Sequence, residues 1–458
     1  MKGILDELPE SLDETYERVL RGINKANRDH AFRLLQCVTV AVRPLRVEEL
    51  AEVLAVDFDA ARNGGIPTLK PDWRWSDQHQ AVLSTCSSLI AIVDDGDSQV
   101  VQFSHFSVKE FLTSDRLACS SGDISRYHIL LSPAHTILAQ ACLGVLLRLD
   151  EDITEDNPSG IPLAYYAARY WVDHAQFEDV SSRIQNVMEY LFDADKPHWA
   201  AWHRVYDIDD HGWWNFTPHP VIRSPVPLYY AALCGFYDLA EHLVVKNPEH
   251  LNARGGQMVT PLVAALHRKH FRVADLLHGY RSDVNIRGMV EHTPLLAASQ
   301  DGLVDIIRWL LDHGADVNAR NTLLNTSLAM SVGHEYLEVS RMLLEHNVDV
   351  NAQGEEGRGP LHSASSAGDS KDMLKMMQLL LDKGADPNAR DDDGCTPLHH
   401  SSHRRKAERY GTVEGSRLLL DHGANIDAED NEGKTPLRVA LEAGRHEMAE
   451  FLTGRGAK

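Results

Sequence analysis

The sequence predicts a mainly α-helical protein in three parts: an N-terminal helical region holding one β-hairpin, a helical connector, and a C-terminal solenoid of about seven helix-pair repeats. Three observations carry this. After residue 222 a short string recurs as Pro227-Leu228, Thr260-Pro261-Leu262, Thr293-Pro294-Leu295, Thr326-Ser327-Leu328, Pro360-Leu361, Thr396-Pro397-Leu398 and Thr435-Pro436-Leu437, at intervals of 34, 33, 33, 33, 37 and 39. Of eight tryptophans, seven precede that point and only Trp309 follows it, so two architectures join there. Before it, apolar residues recur at helical spacing, beginning with Leu8, Leu12, Tyr16, Val19, Leu20 and Ile23.

The repeats keep a second marker in step with the first: Asn252, Asn285, Asn318, Asn351, Asn388 and then Asp427. The physics of each unit is consistent. The Thr is placed to cap a helix, the Pro sits in the first turn where its missing N–H costs nothing, and the Leu points inward. Gly314, Gly384 and Gly423 follow apolar runs where a second helix needs a left-handed stop. A 33-residue period with T-P-L-H and G-A-D-x-N strings resembles the ankyrin repeat. The longer intervals predict extra residues between the two helices of repeats five and six, at Asp369 to Met373 and His403 to Thr412.

Upstream, Ser11-x-x-Glu14 offers a capping box for the first helix, and further helical faces run through Leu34, Leu35, Val38, Val42 and through Val47, Leu50, Val53, Leu54. A third short helix is expected around Gln80 to Cys86. Leu89 to Val93 and Val100 to Phe106, joined by Asp94-Asp95-Gly96-Asp97-Ser98, read as a hairpin. Three helices followed by a hairpin is the winged-helix order. Ser107-x-x-Glu110 then starts another helix. Three amphipathic segments follow, around Ile137 to Val145, Leu163 to His174 and Val180 to Leu191. The aromatic stretch Trp199 to Phe216 is expected to cap the hydrophobic end that a solenoid otherwise exposes.

The strings Leu8-Pro9-Glu10-Ser11-Leu12-Asp13-Glu14-Thr15-Tyr16-Glu17-Arg18-Val19-Leu20, Arg43-Pro44-Leu45-Arg46-Val47-Glu48-Glu49-Leu50 and Phe103-Ser104-His105-Phe106-Ser107-Val108-Lys109-Glu110-Phe111-Leu112 resemble the region after the nucleotide-binding domain in fungal NACHT-ankyrin proteins. These are signal-transducing NTPases similar to NOD-type receptors. The resemblance implies a P-loop NTPase upstream of such a region, a winged helix, and ankyrin repeats that sense or bind a partner. On that reading residues 1–24 hold the helix that follows the missing NTPase domain, 25–118 a winged-helix-like domain, 119–222 the connector and aromatic cap, and 223–458 the repeats.

Composition narrows the function. The formal net charge of −22 repels phosphate backbones, so nucleic acid is an unfavoured partner. The segment Ser76 to Ser87, where a winged helix would read DNA, has no Lys or Arg. Six scattered cysteines and no long apolar run predict a cytoplasmic protein without a membrane span. Four clusters resemble metal or phosphate motifs and fall short of them. Ala428 to Thr435 misses a phosphate loop by its first Gly and carries acids where N–H groups should point. Asp391-Asp392-Asp393-Gly394 fails the calcium-loop ligand count. His399, His400 and His403 lack the internal Glu of a zinc helix. His198, His203, Asp207, Asp209, Asp210, His211 and His219 read as a polar rim. No cofactor or catalytic residue is expected, and the protein is read as a non-enzyme. The expected function is partner binding, by the repeat tips Arg287, Glu291, Arg320, Asn321, Glu355, Arg390, Asp391 and Asp392 and by Arg404 and Arg405 in the basic insertion. A NACHT-type nucleotide-binding domain is a further expected partner, met by a chain acting as its regulatory subunit; a DNA-binding winged helix is the weaker alternative.

Overall fold

A computed structural model describes residues 12–59, 65–86, 88–96, 98–120, 122–149, 160–209, 226–288, 291–367, 370–403 and 413–458. Two compact units divide the chain, Met1–Leu277 and His278–Lys458.

In the first unit, α1 (Leu12–Gly22) precedes α2 (Arg28–Val40), β1 (Leu45–Arg46) and α3 (Val47–Val53), then β2 (Val56–Asp57), β3 (Thr68–Leu69) and α4 (Gln78–Cys86). The hairpin is β4 (Ile90–Asp95) with β5 (Ser98–Phe103), and β1 adds to its β5 edge, giving the antiparallel order β1-β5-β4. The expected helices and hairpin are present, and Ser11 lies outside the described residues. Strands β1, β2 and β3 escape the sequence pattern because two residues are too few to show a period. Helix α2 stops at Val40, short of the expected Val42, which is 51% exposed. Pro44 sits just ahead and biases its neighbourhood toward extended backbone.

The Arg43 to Leu50 string has a structural reason. Arg43 donates to both Glu49 oxygens, at 2.8 and 2.6 Å, and Glu49, 2% exposed, also accepts from the Arg46 N–H at 2.8 Å. Arg74 forks onto the equally buried Glu52 in the same way. A buried carboxylate without such a partner is strongly destabilising.

The helix α5 (Phe106–Leu112) is capped by His105, whose Nδ1 accepts from the Ser107 N–H, so it starts two residues ahead of the expected Ser107 cap. Short α6 (Asp115–Ala118) leads to the connector: α7 (Leu131–Leu146), α8 (Ala164–Ala175), α9 (Val180–Arg183), α10 (Gln185–Leu191) and α11 (Pro197–Val205). The third expected segment is two helices, because Ile184 leaves helical backbone at φ −112, ψ 13. The pairs α12 (Pro227–Cys234) with α13 (Tyr237–Lys246), and α14 (Pro261–His267) with α15 (Phe271–Gly279), follow.

An aromatic cluster ties α11 to its neighbours. Trp202 donates its indole N–H to the Ala168 carbonyl at 3.1 Å and lies 5.5 Å from Trp171 and 6.0 Å from Tyr230, centroid to centroid. His203 stacks on Tyr230 at 4.2 Å. Every residue of α12 is buried. Of the expected cap, Trp213, Trp214 and Phe216 lie outside the described residues.

The second unit holds α16 (Pro294–Asp301) and α17 (Val304–Asp312), α18 (Ser327–Gly333) and α19 (Leu337–Leu344), α20 (Pro360–Ser366) and α21 (Lys371–Asp382), α22 (Pro397–Ser402) and α23 (Glu414–Asp421), and α24 (Pro436–Glu442) and α25 (His446–Gly454). Thr293, Thr326 and Thr435 cap as expected, each hydroxyl oxygen accepting from the N–H three residues on. Where T-P-L is followed by His, the imidazole does more. His399 Nδ1 accepts from the Thr396 N–H at 3.0 Å, and its Nε2 donates to the Lys434 carbonyl of the next turn at 3.0 Å. His362 repeats this with Gly359 and Ala389. The extra residues of repeat five are not all between helices: Ser370 caps α21, and Lys371 to Met373 form its first turn. The repeat-six insertion, with Arg404 and Arg405, lies outside the described residues.

Candidate interaction surface

In the second unit the recurring Asn residues form a ladder between successive turns. The side-chain oxygens of Asn285, Asn318, Asn351 and Asn388 accept from the N–H groups of Asp316, Asp349, Asp386 and Asn425 at 2.7 to 2.8 Å. Asn351 and Asn388 also donate their amide N–H to the carbonyls of Gly384 and Gly423. Asp427 stands at the same register and accepts from the Lys458 N–H at 2.8 Å. An amide has both a donor and an acceptor, so a recurring Asn can bond in both directions between turns, whereas a carboxylate such as Asp427 only accepts.

A parallel set of bonds takes up several predicted tip residues. Arg287 donates to the Arg320 carbonyl at 2.8 Å, Arg320 to the Gln353 carbonyl at 3.1 Å, and Gln353 to the Arg390 carbonyl at 2.9 Å. Asn321 and Asp391 are each 7% exposed and close their own turns. Asn321 Oδ1 accepts from the Leu323 and Asn325 N–H groups, and Asp391 Oδ1 from those of Asp393 and Cys395. Their side chains are therefore turned into the framework and away from a partner. Burial raises the Asp391 pKa, but the N–H of Cys395 and the His400 imidazole, 2.7 Å from Oδ2, outweigh it and hold the carboxyl below the ordinary carboxylate range. His400 itself is held below the ordinary imidazole range by burial.

Glu291, Glu355, Arg390 and Asp392 remain exposed on the tips. Arg287 is exposed while its guanidinium is engaged by the Arg320 carbonyl, and Glu291 approaches it at 3.5 Å.

The set-aside motifs are explained by the same bonding. Asp430 Oδ1 accepts from the Glu432 and Lys434 N–H groups, so the near phosphate loop has no N–H cradle to offer. Asp209 and Asp207 accept from the hydroxyls of Tyr229 and Tyr230 at 2.8 and 2.9 Å. His198 faces the Tyr190 carbonyl at 3.0 Å. Asp210, His211 and His219 lie outside the described residues. Among the described residues no three His, Cys, Asp or Glu side chains converge as metal ligands would, and no helix is long and apolar enough to cross a membrane.

The sequence pattern missed a groove of about 360 Å³ between α18 and the turn that precedes α20, where Met330 and Gly333 meet Glu355, Glu356 and Arg358. Beside it the turn of repeat four carries Leu323 and Leu324, 49% and 54% exposed. The visible signal was two adjacent leucines on a turn where three other repeats place an acid followed by Gly, at Glu356-Gly357, Asp393-Gly394 and Glu432-Gly433. Leu324 has φ +61, and the corresponding positions hold Gly357, Gly394 and Gly433. An L-residue pays roughly 1 kcal/mol in that region. Leu324→Gly is therefore expected to raise stability by roughly 1 kcal/mol, read from the urea midpoint at unchanged slope. A lowered midpoint would show that Leu324 is held by contacts rather than strained.

The family description "Ankyrin repeats" matches residues 228–321, 321–391 and 370–458, and "GPI inositol-deacylase, winged helix domain" matches residues 16–122. The "Azaphilone pigments biosynthesis cluster protein L" of Monascus ruber is 30% identical over 299 residues, 61% of this chain and 61% of that one. The chain thus spans less than two thirds of the length of the curated relative it matches.

Proposed function

Because the chain belongs to the ankyrin-repeat family, we propose that it is a non-enzymatic protein-interaction module whose seven helix pairs are seven ankyrin repeats. Its partner binds the tips of the second unit. In the cell it serves as the sensing arm of a NACHT-ankyrin-type signalling system in the cytoplasm. The supporting observation is the division of labour on the tips. Asn285, Asn318, Asn351 and Asn388 spend their polar atoms on the framework, while Glu355 and Asp392 project from it, so binding chemistry can vary without disturbing the stack.

A second reading has the chain regulate a separately encoded nucleotide-binding domain through its winged helix. Trp73 and Trp75, 51% and 38% exposed on either side of Arg74, favour it, since exposed tryptophans are characteristic of interfaces. DNA binding is disfavoured by the exposed Asp94 and Asp95 at the hairpin tip.

One experiment separates these readings. The full chain is used to capture partners from extracts of its source organism, beside a Glu355→Lys/Asp392→Lys variant and a Trp73→Ser/Trp75→Ser variant. Loss of at least about tenfold of captured partner with the tip variant alone is expected. Loss only with the tryptophan variant would overturn the first reading in favour of the second.

A further inference from the structure

We propose that the groove beside α18 binds a short partner segment that presents an apolar side chain next to a Lys or Arg. The inference rests on the interaction-module reading and names the chemistry of what is bound.

The apolar half of the site comes from Ala329, Met330 and the open floor at Gly333, with Leu323 and Leu324 exposed on the turn that leads into it. A Cβ added at Gly333 meets no atom within 4 Å, so the floor has room for an entering side chain. Leu323 and Leu324 immediately precede Asn325, which lines the groove. Covering the half-exposed Leu323 and Leu324 on binding removes apolar surface from water, which is favourable.

The charged half comes from the opposite rim. Glu356 is 59% exposed at its side chain and pairs with Arg358 at 2.8 Å. Arg358 also lies 3.8 Å from the buried Asp391 carboxylate. That single guanidinium thus faces two acids, and among the described residues Glu355 has no ion-pair partner. The rim carries uncompensated negative charge, which a Lys or Arg placed beside the apolar side chain neutralises. An acidic segment would meet repulsion there, and a purely polar one would leave the leucines in water.

The test is fluorescence anisotropy of labelled peptides against the full chain at 0.15 M salt. Three peptides are compared: alternating Leu-Arg, alternating Leu-Glu and alternating Ser-Arg, each between Gly-Ser ends. The Leu-Arg peptide is expected to bind at least about tenfold more tightly than either other. Gly333→Leu fills the floor in open space and is expected to weaken binding by about tenfold without lowering the thermal midpoint. Glu355→Lys is expected to weaken it similarly, while Glu429→Lys, on a different tip, leaves it unchanged. Equal binding of the Leu-Arg and Ser-Arg peptides would overturn the proposal. So would unchanged binding in both Gly333→Leu and Glu355→Lys, and Glu355→Lys decides alone should Gly333→Leu fail to fold. If cellular partners are captured through the tips while the peptides fail, the groove assignment falls and the module reading stands. If no tip variant affects capture, the module reading falls as well.

Discussion

Trp202→Ala is expected to destabilise the first unit by about 3–5 kcal/mol, the range for removing a buried large aromatic. Trp202 is fully buried, and its ring touches the cluster from several sides: Trp171 at 5.5 Å, Phe192 at 5.7 Å, Trp199 at 5.8 Å and Tyr230 at 6.0 Å between centroids. The ring joins the connector helix α8, through Trp171 and the Ala168 carbonyl, to α12 of the first repeat pair, through Tyr230. A cavity there cannot close by the movement of one side chain, since the neighbours belong to three helices. Urea unfolding followed by circular dichroism measures the loss. A change below about 1 kcal/mol would mean that the cluster does not hold these helices together.

The second large effect is acid sensitivity of the same unit. His174 is fully buried, its Nδ1 2.9 Å from His135 and its Nε2 2.9 Å from the Tyr166 hydroxyl, and burial pushes its pKa down to about 3. Tyr166 also accepts from the Val42 N–H at 3.2 Å, and the lowered pKa leaves His174 neutral near pH 7. The His203 ring nitrogens are shut off from solvent without a hydrogen-bond partner among the described residues, and burial pushes this group to about 3 as well.

Both folded values lie below the ordinary imidazole value of about 6.5, so the unfolded chain takes up protons first as the pH falls. Stability contributed by these groups is present above about pH 6.5 and declines from there toward pH 3. By pH 5 each histidine is expected to have removed about 2 kcal/mol, measured as the difference in urea midpoints between pH 7.5 and pH 5. His203→Phe preserves the stacking on Tyr230 and should remove its own share of that loss. An unchanged acid sensitivity in His203→Phe would show that the ring is hydrated in solution.

The repeats were legible because their signals are local and recur. Thr-Pro-Leu sets a cap, a first turn and a core residue within three positions, and the marker Asn follows at a fixed distance. The winged-helix order was legible for the same reason, from three helical faces and a hairpin with a turn-forming Asp-Gly tip. What stayed hidden depends on distant partners. Strand β1 is two residues whose identity as a strand comes from β5, more than fifty positions away. The internal use of Asn321 and Asp391 depends on whether a side chain turns back into its own turn, and composition alone does not distinguish that from projection. Arg287 and Arg320 looked like partner-facing charges, yet their guanidiniums reach a carbonyl 33 residues ahead. The groove was missed because its floor is defined by what Gly333 lacks.

Site-specific photo-crosslinking locates the partner on the repeats. A benzophenone side chain is placed, one position at a time in the full chain, at Glu355 and Asp392 on the tips and at Lys375 and Arg417 on the second helices of repeats five and six. All four positions are exposed. Partner binding along the tips predicts a shared crosslinked product from Glu355 and Asp392, and none from Lys375 or Arg417. A product formed only at Lys375 and Arg417 would place the partner on the second helices and overturn binding at the tips.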